Sequence, residues 1–169
     1  MSDETDEQRR ARIERANFIF GAMVPHNNAL KISILDYNPG MATMLLPYSA
    51  ELAGDPETGV LHGGAITALV DAACGAAVLL KLEVPAPVAT LDLRIDYLRA
   101  AEPGRNVVAR ADCHRLTRNV AFVRAVAWHQ DGESGLEHAI ATASGTFMMA
   151  TAGLPVLSRA SIDEGGKPS

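Results

Sequence analysis

Little in this sequence invites a metal, a disulfide framework or a polyanion. Only two of the 169 residues are cysteines, Cys74 and Cys113, and their spacing matches no zinc or redox motif. Cys74 lies in an apolar helical run, where a free cysteine behaves as a small buried hydrophobe. Unpaired thiols of this kind fit a reducing compartment. Positive charge is also scarce. Fifteen Lys and Arg against twenty Asp and Glu leave a net charge of −5, which argues against a nucleic-acid partner, since that needs a broad basic face. A few arginines able to hold a nucleotide phosphate are still compatible with it. Residues 1–16 are charged and carry no apolar signal-peptide core. The longest apolar run, ending in Val78-Leu79-Leu80, is interrupted by Asp71 and Lys81 and reads as too short to span a bilayer. We therefore expect a cytoplasmic protein with no membrane partner. His26, His114, His129 and His138 are scattered without metal-ligand spacing, so we expect surface or edge histidines and no metal.

What is present is an ordinary globular composition, 48% apolar and 21% charged, in a length that suits one domain with a sizeable core. Residues 3–24 favour helix, with Ser2 or Asp3 as cap and Pro25 as the stop. Ala29 to Tyr37 reads as a strand with Leu30, Ile32 and Ile34 on one face, although Asp36 falls on that apolar face. Asn38-Pro39-Gly40 is a turn, and Met41 to Leu46 returns as a second strand. Residues 47–61 hold Pro47, Gly54, Pro56 and Gly59 and read as a loop.

The segment His62 to Lys81 is rich in alanine and leucine and apolar almost all the way round, so it predicts a helix buried on most of its circumference. Strand patterns follow. Val88 to Leu98 alternates, with Leu91, Leu93, Ile95 and Tyr97 on one face and Asp92, Arg94 and Asp96 on the other. Asn106–Leu116, Val120–Gln130 and Leu136–Ala150 complete the set, separated by turn residues. One long apolar helix among antiparallel strands is most economically wrapped by the sheet, an α+β layer architecture. We divide the chain into a helical extension (1–28), the α+β domain (29–150) and a mobile tail (151–169).

Two features could carry chemistry. His62-Gly63-Gly64 opens the helix. Glycines there admit a close backbone or ligand, and a helix N-terminus presents unpaired N–H groups that would polarise a carbonyl and stabilise an oxyanion. Asp71 is an isolated carboxylate on the apolar helix and needs a hydrogen-bond partner, a shifted pKa or a function. Gly63 and Asp71 lie eight residues apart, roughly 12 Å along the axis. One chain therefore cannot offer both to one carbonyl. Two antiparallel helices from two subunits can, twice over, in a two-fold dimer.

The HGG triplet with an acidic residue nine positions after the histidine, on an apolar helix, resembles the PaaI-like branch of hotdog-fold acyl-CoA thioesterases. Gly59 three residues before His62, the strand DLRIDYL at 92–98 and Pro103-Gly104 extend the likeness over roughly Leu30 to Met149. The resemblance implies a hotdog fold, an antiparallel sheet around one central helix, with the N-terminal helix as an addition. It also implies hydrolysis of an acyl- or aryl-CoA thioester. Gly63, with Gly64 beside it, matches the backbone donor to the thioester carbonyl. Asp71 matches the catalytic carboxylate, as nucleophile or as general base on water. His62 matches the histidine that orients the loop and site. The hydroxyl residue that holds the attacking water falls at Thr90, or one position earlier at Ala89.

Arg99, Arg115 and Arg118 lie near strand ends where related enzymes contact the nucleotide of coenzyme A, and arginine's planar fork of donors suits phosphate. Phe20, Met23 and Leu61 are candidates for the acyl pocket. No cofactor is implied beyond the coenzyme A of the substrate. The implied partner is a second copy of the chain, as a dimer and by resemblance a homotetramer. Many relatives carry Asn six residues before the histidine, where this chain has Pro56 next to Asp55. That departure favours an alternative, a non-catalytic acyl-CoA-binding module, whereas Asp71 speaks against it. A further alternative, an acyl-chain hydratase or dehydratase, requires a paired histidine and carboxylate as acid and base.

Overall fold

The computed structural model describes residues 5–149; Ser2, Asp3 and the tail from residue 151 lie outside them. Helix α1 (Asp6–Asn17) is capped by Thr5. Its hydroxyl accepts from Gln8 N–H at 3.3 Å, and the Gln8 side chain accepts from Thr5 N–H at 2.9 Å, a reciprocal capping pair. A π-turn at Phe18–Ala22 extends α1, and the chain breaks at Val24. Pro25 does not stop a helix as expected; it starts one, α2 (Pro25–Ala29). Proline is harmless at the first helical position, where its missing N–H would be unpaired, and it forces the preceding residue into extended backbone.

The expected strand Ala29–Tyr37 shortens to β1 (Ser33–Asn38), because Ala29 and Leu30 finish α2 and Lys31 sits at φ 56°. Then come β2 (Met41–Leu46), α3 (Gly63–Lys81), β3 (Val88–Tyr97), β4 (Val107–Leu116), β5 (Val120–His129) and β6 (Ala141–Met149). The last strand begins five residues later than expected, since Leu136–His138 form a 3-10 turn.

All six strands pair antiparallel in one sheet, in the order β1-β2-β4-β5-β6-β3. The sheet wraps α3. Its inner face is built largely from small residues, among them Ala42, Ala109, Ala111, Ala125 and Ala127, and α3 answers with Ala65, Ala73, Ala76 and Ala77. Small side chains on both sides bring backbones close, and Leu69, Val70, Val78 and Met44 fill what remains at interior density. Two or more methyl groups removed from a fully buried site such as Leu69 cost about 2–5 kcal/mol.

Bulges correct the strict alternation read from the sequence. In β1, Ile34 faces Met44 but Asp36 faces Thr43, so Leu35 is the extra residue and Asp36 turns outward, off the apolar face. There Arg12 meets it at 3.4 Å. The Asn17 side chain accepts from Ile34 N–H (2.7 Å) and donates to Ile34 O (3.1 Å). The N-terminal helix thus covers the β1 edge, a row of backbone groups that would otherwise invite another strand.

At 19 residues α3 is long and apolar enough by those measures to cross a membrane, contrary to the shorter apolar run counted from sequence. Asp71 interrupts that count but not the helix. Half of the helix is buried inside the fold. Gly64, Thr67, Ala68, Asp71, Ala72, Gly75 and Leu79, each exposed or half-buried, recur at helical spacing and form one open face.

Candidate active site

His62 caps α3. Its Nδ1 accepts from Gly64 N–H at 2.9 Å. A Cβ on Gly64 would stand 2.8 Å from that same Nδ1, so the glycine is needed for the imidazole to fold over the helix start. This separates two residues that the sequence treats alike. Gly64 N–H is already engaged, whereas Gly63 N–H has no partner among the described residues.

The carbonyl of Gly63 accepts from Tyr97 Oη (2.7 Å) and Thr67 Oγ1 (3.1 Å), and these two hydroxyls lie 2.9 Å apart. Tyr97 was legible only as a packing residue. Its signal was a phenol on an apolar strand face, which usually finds a polar partner for its tip.

Asp71 has its partner as well. Thr90 Oγ1 donates to Asp71 Oδ1 at 2.8 Å. Strict alternation would have turned Thr90 outward with Asp92. In β3, Thr90 faces Phe147 while Asp92 faces Thr146, so Leu91 is bulged out, 55% exposed, and Thr90 joins Leu93, Ile95 and Tyr97 on the inner side. Of the two neighbouring candidates, Thr90 is the one whose side chain reaches the carboxylate.

Asp71 and Thr90 open onto a cavity of about 400 Å³. Ala68, Ala72, Gly75, Ala76 and Leu79 of α3 form its floor. Val88 and Phe147 line one side, and Phe20, Val24, His26 and Asn27 of the N-terminal segment line the other. Of the three residues suggested for an acyl pocket, Phe20 lines this cavity and Met23 is 63% exposed outside it. Leu61 lines a separate groove of about 360 Å³ with Gly63, Ile66, Tyr97 and Arg99. Thus Gly63 and Asp71 of one chain face different cavities.

Of the N-terminal segment's contribution the sequence suggested Phe20, and the structure adds Val24, His26 and Asn27. Asn27, buried, donates to Phe20 O at 2.7 Å and its own carbonyl accepts from Ile32 N–H, which fixes the bend that presents Phe20 and His26.

The three arginines do not converge within one chain. Arg115 and Arg118 flank the β4–β5 turn, at the Thr90 end of β3. Arg99 follows the far end, seven residues on from Thr90 to Tyr97, roughly 23 Å at strand spacing. Arg99 donates to Glu137 O, and the Arg115 guanidinium lies over the Phe122 ring at 6.0 Å. At the Pro56 departure, Asp55 is engaged by its own loop: its carboxylate accepts from Glu57 N–H and Thr58 Oγ1.

His129 corrects another expectation. It is buried, its Nε2 accepts from Glu102 N–H at 3.1 Å and its Nδ1–H donates to Asn106 O at 3.3 Å, so it pins the 102–106 loop to β5. His26, His114 and His138 are exposed, as expected. No group of residues suited to a metal occurs among the described residues. Both cysteines are free and buried, Cys74 as read from sequence. Burial first, then the nearby Asp71 charge, pushes the Cys74 thiol up to about 12. Burial also raises Cys113.

A six-stranded antiparallel sheet wrapped round one apolar helix, with a histidine-capped Gly-Gly at its start, is the hotdog fold. The sequence profile of the thioesterase superfamily matches residues 58–136. A protein of solved crystal structure from Pseudomonas aeruginosa is 40% identical, covering 80% of this chain and 97% of that one, with a TM-score of 0.68. The medium/long-chain acyl-CoA thioesterase YigI of Salmonella typhimurium is 27% identical over 75% of this chain and 86% of its own length. A putative esterase of Halobacterium salinarum is 40% identical over 43% of this chain, and the match spans 50% of that relative's length. The chain belongs to the thioesterase superfamily, in the PaaI-like hotdog branch, and PaaI proteins are among its structural neighbours.

Proposed function

We propose that this protein hydrolyses acyl- or aryl-CoA thioesters to the free acid and coenzyme A. The observation that carries the proposal is the Thr90–Asp71 pair at the wall of an apolar cavity. The hydroxyl donates to one carboxylate oxygen, which orients the carboxylate and leaves its other oxygen for chemistry. Asp71 either takes a proton from a water that adds to the thioester carbonyl, or adds to that carbonyl itself and is released by water. In both cases the oxygen of the carbonyl becomes an oxyanion, collapse breaks the C–S bond, and the coenzyme A thiolate leaves and takes up a proton.

The oxyanion needs a donor, and Gly63 N–H at the positive end of α3 is the one we assign to it. Gly64 serves the His62 cap instead. Because Gly63 and Asp71 of one chain line different cavities, the donor comes from a second copy, and the active unit is at least a dimer. The exposed edge strand β3, ten residues long, supports this assembly. The tetramer that the family likeness suggests would be two such dimers. Arg99 belongs to the Gly63 end and Arg115 and Arg118 to the Asp71 end, so a nucleotide gripped by all three would also bridge subunits. Buried free thiols fit a reducing compartment, and we place the protein in the cytoplasm.

The test is release of free thiol from a panel of short, medium, long and aromatic acyl-CoA thioesters, wild type beside Asp71→Ala. Turnover of one class with loss of at least about 10²-fold in the variant supports the proposal, in line with a general-base role. Binding of acyl-CoA without any thiol release would instead favour a non-catalytic binding module.

A further inference from the structure

Gly75 sits in the middle of α3, where glycine destabilises a helix relative to alanine. Packing within the chain does not require it. A Cβ added at Gly75 would meet only Phe147 Cε1, at 3.9 Å, an ordinary contact. Gly63 and Gly64 differ, with neighbours at 3.2 Å and 2.8 Å. The space above Gly75 is the cavity that holds Asp71 and Thr90. From that pair the lining advances along α3 through Ala72, Gly75 and Ala76 to Leu79, and along β3 from Thr90 back to Val88. Phe147, Phe20 and Val24 enclose the same space, and none of these apolar residues offers a hydrogen bond.

We infer that this cavity is the channel for the acyl chain, that it is sized for a straight medium-length acyl group, and that Gly75 is its specificity-determining floor. The inference rests on the thioesterase reading and adds the substrate class. Asp71 to Leu79 is eight residues, roughly 12 Å of helix. An extended methylene advances roughly 1.3 Å, given C–C bonds of about 1.5 Å at tetrahedral angles, so the channel accommodates about nine carbons beyond the reacting carbonyl. An aryl group would fill only the end beside Asp71.

The experiment measures kcat/KM for butyryl-, octanoyl-, decanoyl- and palmitoyl-CoA with wild type, Gly75→Ala, Gly75→Leu and Phe20→Ala. Wild type is expected to prefer the octanoyl and decanoyl thioesters. Gly75→Leu, which fills the channel, should lower the decanoyl-to-butyryl ratio at least about tenfold, within the range one misfitting methylene produces in a pocket. Gly75→Ala should lower the ratio less, with a melting temperature equal to or above wild type. Phe20→Ala should raise palmitoyl relative to decanoyl.

An unchanged ratio in a folded Gly75→Leu protein overturns the inference while leaving the thioesterase reading intact. So does a Gly75→Ala protein of smaller assembly size that loses all substrates equally, since the glycine would then be seating a second copy's helix. Absence of hydrolysis of every thioester by wild type would remove the thioesterase reading itself, and this one with it.

Discussion

Thr90 donates a hydrogen bond of 2.8 Å to Asp71, and it does so because Leu91 is bulged out of β3. The carboxylate therefore depends on a hydroxyl that regular strand geometry would have turned to the other side of the sheet. Thr90→Val keeps the shape and removes the donor. It is expected to lower kcat by about 10- to 100-fold, the range that corresponds to the 1.5–3 kcal/mol of a hydrogen bond to a charged group. Thr90→Ser should recover most of that loss. Steady-state kinetics with a melting curve for each variant checks the pair, and equal rates for Val and Ser would show that the hydroxyl is idle.

His62 and Gly64 form one device at the start of α3. His62→Ala removes the cap acceptor and should cost about 1 kcal/mol of stability. Gly64→Ala should cost a similar amount or more, because its methyl group would displace the ring from 2.8 Å. The double variant should be no less stable than the worse single one, since the interaction can be lost only once. Denaturant melts of the three proteins measure the coupling; strictly additive losses would contradict it.

The Cys74 thiol, pushed up to about 12 by burial and the Asp71 charge, should be silent toward disulfide reagents in the native protein at pH 8 and react only on unfolding. A raised thiol pKa means that the native state keeps its proton where the unfolded chain, titrating near 9, loses it. This contribution is complete below pH 9 and is lost as the pH climbs toward 12. Stability should fall across that window, and less steeply in Cys74→Ala; Cys113, also raised, keeps the slope from vanishing. Thermal melts from pH 8 to 11 give the comparison.

The sequence was most informative where one period ran unbroken. β2 and α3 match their expected bounds to within a residue, because turn residues and an alanine-rich apolar run marked their ends. What escaped were local departures from a period. In Ser33–Asn38 only Asp36, out of place on the apolar face, hints at an extra residue, and nothing in Val88–Tyr97 does, so the outward turn of Asp36 and the inward turn of Thr90 are fixed only by the register. Capping hid too. Gly63 and Gly64 are equivalent as letters, and only the His62 ring separates the free N–H from the engaged one. The bend that carries Phe20, His26 and Asn27 to the cavity depends on a π-turn and on Pro25 starting a helix, whereas a proline after a helical run reads as a stop.

The central claim is that Asp71 performs the hydrolysis. Its most direct test is thiol release from decanoyl-CoA by wild type and by Asp71→Asn, an isosteric change that removes the charge and can still accept the Thr90 hydrogen bond. We predict a loss of at least about 10²-fold in kcat, in line with a general-base role, with the melting temperature and assembly size held. Turnover by the asparagine variant at the wild-type rate would contradict the account.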